Sequence, residues 1–159
     1  MSKGFEPSLF DKLFDDLPMA AVRRRLSLDQ LKDSVARDLE ALLNTRTVFE
    51  GDLVRRWPLA HGSVASFGLI DFAGLSLASV HDRNRICASI ESAVATHESR
   101  LRDVRVTIEL HRKAVNALYF SINAVLVVNP AREPVAFDAL LQPTTLQYSV
   151  KRHRQRIGG

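Results

Sequence analysis

The chain predicts an α+β fold, with helices packed on one face of a small, mostly antiparallel sheet. Three observations point there. Apolar residues recur at helical spacing in two stretches that end by Leu101. From Val104 onward the spacing changes to period two, or to short apolar runs, and stays so until Val150. Helices first and strands afterwards is the order of a fold that lays its helices against one side of an antiparallel sheet.

At 159 residues the chain has the size of one domain with a real core. The single cysteine, Cys87, excludes a disulfide framework. No apolar run approaches the roughly 18 residues of a membrane span, and the start, Met1 to Pro7, lacks the pattern of a signal peptide. A cytoplasmic protein is expected. The net charge of +4 is local: Lys151, Arg152, Arg154 and Arg156 lie in the last nine residues without an acid, and the remaining basic residues equal the acidic ones in number. Residues 151–159 read as a solvated, disordered tail, and no nucleic-acid partner is expected.

Residues 1–26 read as an amphipathic segment and linker. Pro7 suits a helix start, and Leu9, Phe10, Leu13, Phe14 and Leu17 then make one apolar face. So short a helix must dock, either on its own domain or on a partner. Arg23, Arg24 and Arg25 read as a solvated cluster in the linker. The main α+β domain spans 27–150. Ser27 and Gln30 have the spacing of a capping box, and Leu28, Leu31, Val35, Leu39, Leu42 and Leu43 form the core stripe of the first helix, which stops near Asn44–Arg46. Residues 46–78 are irregular. There Arg55–Leu59 is expected to hold the one tryptophan, Trp57, against the body, and Gly68 and Gly74 bracket an apolar loop across one end of the core. Ser79, three residues before Asp82, caps a second helix whose core side is Ile86, Ile90 and Val94, with Leu101 beyond. Cys87 reads as a buried, inert thiol.

Strands are expected at 104–110, 118–128, 135–141 and 144–150, the first two as a hairpin and the third as a strand or short edge element. Asn129–Pro134 is a turn signal. The five histidines are scattered without metal-ligand spacing, so no metal is expected, and no glycine fingerprint or phosphate loop points to a cofactor. Glu98 is the one residue that invites a catalytic reading, as the acid of a glycosidase with Asp103 or Glu109 as second carboxylate. Arg100 and Arg102 close by argue against it, because a cation disfavours the protonated acid.

Several segments resemble the TssE proteins, baseplate subunits of the bacterial type VI secretion system related to the phage-tail gp25-like lysozyme family. They are Pro7–Leu13, the helix Ser27–Arg46, Ser66–Leu75, Arg100–Val106, Leu118–Ile122 and Glu133–Asp138, all in family order. At the helix-to-strand corner that family carries Glu-Pro-Arg. Here Glu98 and Arg100 hold the outer positions and Ser99 replaces the proline, which frees one N–H and one φ angle. The resemblance implies a non-enzymatic adaptor in a cytoplasmic baseplate docked at the inner face of the cytoplasmic membrane. The implied partners are wedge proteins of the TssF, TssG and TssK type and sheath subunits of the TssB and TssC type, with the spike hub as a further candidate. A lysozyme-like glycosidase using Glu98 and a wedge protein of a phage-tail-like particle are the other readings. Glu98, Arg100 and Arg102, with Leu9, Phe10, Leu13 and Phe14 of the arm, are the interaction residues that this reading names. Strands 104–110 and 144–150 are its candidate edges for accepting a partner strand.

Overall fold

A computed structural model of the chain describes residues 5–6, 26–47, 55–72, 74–76, 78–109, 117–128, 131–142 and 144–153. The arm residues Leu9, Phe10, Leu13 and Phe14, the arginine cluster 23–25 and the end of the basic tail lie outside them.

Helix α1, Leu28–Asn44, starts where the capping box predicts. The Ser27 N–H donates to Gln30 Oε1 at 2.9 Å and the Gln30 N–H donates to Ser27 Oγ at 3.2 Å, so two N–H groups of the first turn are satisfied. Its predicted stripe is buried from Leu31 to Leu43. Helix α2, Val80–His97, is capped by Ser79, whose hydroxyl accepts from the Asp82 N–H, and it buries Ile86, Ile90, Ala93 and Val94. Four strands follow: β1 (Leu101–Glu109), β2 (Leu118–Val128), β3 (Ala131–Gln142) and β4 (Gln147–Arg152). They form one antiparallel meander in the order β1-β2-β3-β4. Both helices lie on one face of it, α1 over β4 and α2 over β1. Between the layers sits one apolar core, centred on Phe120, Ile122, Leu126 and Phe137, each at most 1% exposed. Burying a side chain of this size contributes about 1.5–3 kcal/mol.

Strand boundaries differ from the expected ones in four places. Strand β4 runs on through Lys151 and Arg152, residues expected in a disordered tail, because they pair with β3 and Arg152 meets Asp29 and Asp33 of α1. Strand β1 begins at Leu101, because a bulge between Arg102 and Arg105 adds a residue opposite β2 and hides the alternation. Asp103 takes φ +54° there, and the extra residue lets Leu101 and Val104 both face the core. Strand β3 begins inside the predicted turn and contains Pro134. The Ala136 carbonyl, on the same side of the strand, accepts from the His153 N–H. Pro134 therefore lacks its N–H on the side facing β4, past the last residue pairing that β3 makes there. Strand β4 starts at Gln147, since Thr144–Leu146 form a turn that closes with the Leu146 N–H on Gln142 O, Leu146 at φ +54°.

The described part of the loop around Gly68 packs on the core, with Phe67, Phe72 and Leu75 partly buried against it. Leu69 is fully buried, its N–H donating to Thr45 O and its carbonyl accepting from the Thr47 N–H. Gly68 makes that approach available: it sits at φ +121°, and a Cβ would lie 2.6 Å from Thr45 O. The expectation for Trp57 fails. It is 63% exposed, with Leu59 and Val64 beside it in sequence almost fully exposed, because this segment consists of short 3₁₀ turns, Pro58–Ala60 and Val64–Ser66, on the surface.

Candidate functional site

The corner between α2 and β1 gathers the charges that the sequence singles out. Glu98 caps α2, its N–H donating to Val94 O and its carbonyl accepting from the Leu101 N–H. Two residues on, the Arg100 carbonyl accepts from Val127 of β2. The chain thus reverses tightly enough for an i,i+2 pair to close on itself. The Arg100 N–H and Nε donate to Glu98 Oε1 at 3.1 and 2.7 Å, and Nη2 donates to Glu98 Oε2 at 2.5 Å. The same Nη2 also donates to Asp38 of α1. One guanidinium therefore clamps α1, the end of α2 and the start of β1.

Glu98 is 7% exposed, a buried charge that only a close partner makes tolerable. Burial on its own would depress the Arg100 pKa. The hydrogen bonds and charges of Glu98 and Asp38 outweigh it and raise the pKa above the ordinary guanidinium value. With Ser99 in the middle position, it is this fork that holds the turn. Asp38 escapes sequence reading: it is 62 residues away, beside the apolar stripe, and only packing of α1 brings it to the corner.

Both Glu98 oxygens are taken by the guanidinium, so the carboxylate is built to hold a cation rather than to hand over a proton. Glu109 ends β1, about 25 Å along the strand at roughly 3.3 Å per residue, too far to share a sugar cleft with Glu98. Asp103 is exposed at the bulge. Arg102 is also exposed on β1, with Arg105 three residues on. No group of three His, Cys, Asp or Glu side chains suited to a metal occurs among the described residues. His97 is structural: its Nε2–H donates to Ser66 O at 3.0 Å, and its ring meets Phe67 edge-on at 5.3 Å. Cys87 is half-buried, its thiol pushed up by burial and then by Glu91, in keeping with an inert role.

Helix side chains also reach the two outer strands. At β1, Glu91 Oε1 accepts from the Val106 N–H at 2.8 Å. At β4, the Asn44 side chain accepts from the Tyr148 N–H and donates to the Tyr148 carbonyl, both at 2.8 Å. Glu40 accepts from the Val150 N–H at 2.7 Å.

Residues 29–131 match the family described as baseplate wedge protein gp25. The chain belongs to this family. The match runs from the first turn of α1 to the first residue of β3, so in this gp25-type protein the Glu98–Arg100–Asp38 clamp lies wholly inside the family region and β4 lies beyond it. No curated protein and no solved structure matches the chain. Among the described residues no helix is long and apolar enough to cross a membrane.

Proposed function

We propose that this gp25-type protein is a non-enzymatic adaptor that joins a baseplate wedge to a contractile sheath and helps sheath assembly to start. The family match over residues 29–131 carries the reading, and it supports a structural part in a contractile machine. The setting we favour is a type VI secretion baseplate at the inner face of the cytoplasmic membrane, with TssF-, TssG- and TssK-like wedge proteins and TssB- and TssC-like sheath subunits as partners. The corner contributes by fixing the angle between both helices and β1, so that the sheet is offered to the sheath as a rigid platform. Arg102 is a candidate contact, and the arm residues Leu9, Phe10, Leu13 and Phe14 are candidates for the wedge side. A rigid ion-paired Glu98 favours this over peptidoglycan cleavage.

The test is co-purification from native cells with tagged wild type and Arg102→Glu. Wild type should bring down wedge and sheath proteins, and the exposed charge reversal should weaken the sheath. Recovery of neither set by the wild type would remove the adaptor reading. Clearing of a peptidoglycan suspension beyond a Glu98→Gln control would replace it with the glycosidase one. Recovery of tail rather than secretion proteins would move the same role to a phage-like particle.

A further inference from the structure

Three large apolar side chains stand clear of the body on one short segment. Trp57 is 63% exposed, Leu59 97% and Val64 93%. Apolar side chains exposed singly need no explanation, but three within residues 57–64 on a fixed backbone mark a contact surface. The backbone is fixed by its own turns. In Pro58–Ala60 the Ala60 and His61 N–H groups donate to the Trp57 and Pro58 carbonyls, and in Val64–Ser66 the Ser66 and Phe67 N–H groups donate to those of Ser63 and Val64. Between the turns Gly62, at φ +87°, donates its N–H to Ser66 Oγ at 3.0 Å, and Ser63 Oγ donates to the Ala60 carbonyl at 2.7 Å. His97 holds both the Ser66 carbonyl and the Phe67 ring, so the double turn is fastened to the last turn of α2. Backbone ordered in this way aims Leu59 and Val64 outward and settles much of the ordering cost before a partner arrives. The charge around them is one-sided. Arg55 and Arg56 are exposed, and no Asp or Glu occurs from residue 53 to residue 70.

We propose that this double turn docks into an apolar pocket, rimmed by Asp and Glu, on a neighbouring baseplate wedge protein. This rests on the adaptor reading given above and adds the contact residues and the chemistry of the partner. Side chains that project as Leu59 does need a concave receptor, and Trp57 is the anchor, because a large rigid ring gains most from desolvation and loses little freedom. Arg55 and Arg56 form forked bonds with the carboxylates of the rim. An anionic bilayer has matching chemistry, but two arginines and a few apolar tips fall short of the paired anchors that hold a protein at a membrane. A protein pocket can enclose the indole, and that favours the wedge. The turns lie on the helix side of the sheet, which leaves the opposite face to the sheath, so one subunit can touch both partners.

The test uses the full chain, whose one tryptophan lies in the docking segment itself. Labelled with fluorotryptophan, the protein gives a single fluorine NMR signal, and unlabelled wedge proteins of the TssF and TssG type are the probe. On mixing, that signal should move or broaden as Trp57 leaves water. Leu59→Asp and Arg56→Glu, both exposed changes that should keep the wild-type circular dichroism, should each weaken wedge binding by about tenfold or more. A wedge complex that leaves the Trp57 signal as in the free chain, or that both variants form as tightly as wild type, overturns the docking site and leaves the adaptor reading standing. A wild type that binds no wedge protein overturns both. A Trp57 response to phosphatidylglycerol vesicles, with none to the wedge proteins, replaces the pocket with an anionic membrane surface.

Discussion

Replacing Arg100 with alanine removes the guanidinium that Glu98 and Asp38 share, and leaves two carboxylates facing a space built for a cation. Removing one partner of a buried ion pair costs about 3–5 kcal/mol. The Arg100 and Asp38 side chains keep 23% and 17% of their exposure, and Glu98 keeps 9%. Water therefore screens part of the residual repulsion, and the expected loss is about 2–3 kcal/mol. For a chain of this size that corresponds to a Tm lower by about 5–10 °C, read by circular dichroism at neutral pH. Arg100→Lys should recover only part of it, because an ammonium cannot bridge both Glu98 oxygens and Asp38 in one plane. A cycle of Arg100→Ala and Asp38→Ala should show coupling of about 0.5 kcal/mol or more. An Arg100→Ala protein that melts within about 1 °C of wild type would refute the clamp. Arg100→Glu would place a third carboxylate beside Glu98 and Asp38 and disturb fold and binding together. The exposed Arg102 separates them.

Three further expectations follow from the packing. Among the described residues the buried Tyr148 hydroxyl has no hydrogen-bond partner, and burial pushes its pKa up to about 12. Tyr148→Phe should then be neutral or stabilise by up to about 1 kcal/mol in urea unfolding, whereas a clear loss would show that the hydroxyl is satisfied. Gly68→Ala should lower stability by about 1–3 kcal/mol, since its φ of +121° and the nearby Thr45 carbonyl both reject a Cβ; a melting curve like that of the wild type would contradict this. His97 is held below the usual imidazole range by burial, with the Ser66 carbonyl pulling it up and His61 pushing it down. The unfolded chain therefore binds the proton more tightly. The His97 contribution is complete above about pH 6.5, the unfolded value, and is lost as pH falls through the lower folded value. A His97→Asn variant should lose less Tm between about pH 7.5 and pH 5 than wild type does, and an equal loss in both would exclude His97 as the source.

Much of the architecture was written in local pattern. The capping box at Ser27, the stripe from Leu31 to Leu43, the Ser79 cap and the apolar run of β2 each act within a few residues, so periodicity and hydrogen-bond chemistry reveal them directly. The Glu98–Arg100 pair was also legible as two charges at a helix end, and the family resemblance rested on segments of the same kind. What the sequence did not contain was every decision made across long separations. Asp38 joins the corner from 62 residues away, and Asn44 and Glu40 reach β4 across 104 and 110. The bulge at Asp103 shifts the side-chain register of β1, and only pairing with β2 displays it. Trp57 was expected against the body by residue type, yet it is largely exposed among the described residues. Local chemistry fixed which elements form, because caps and apolar spacing act through neighbouring residues. Which carboxylate meets Arg100, and which helix side chains reach the outer strands, depended on how the helices pack over the sheet, and no spacing along one chain encodes that directly.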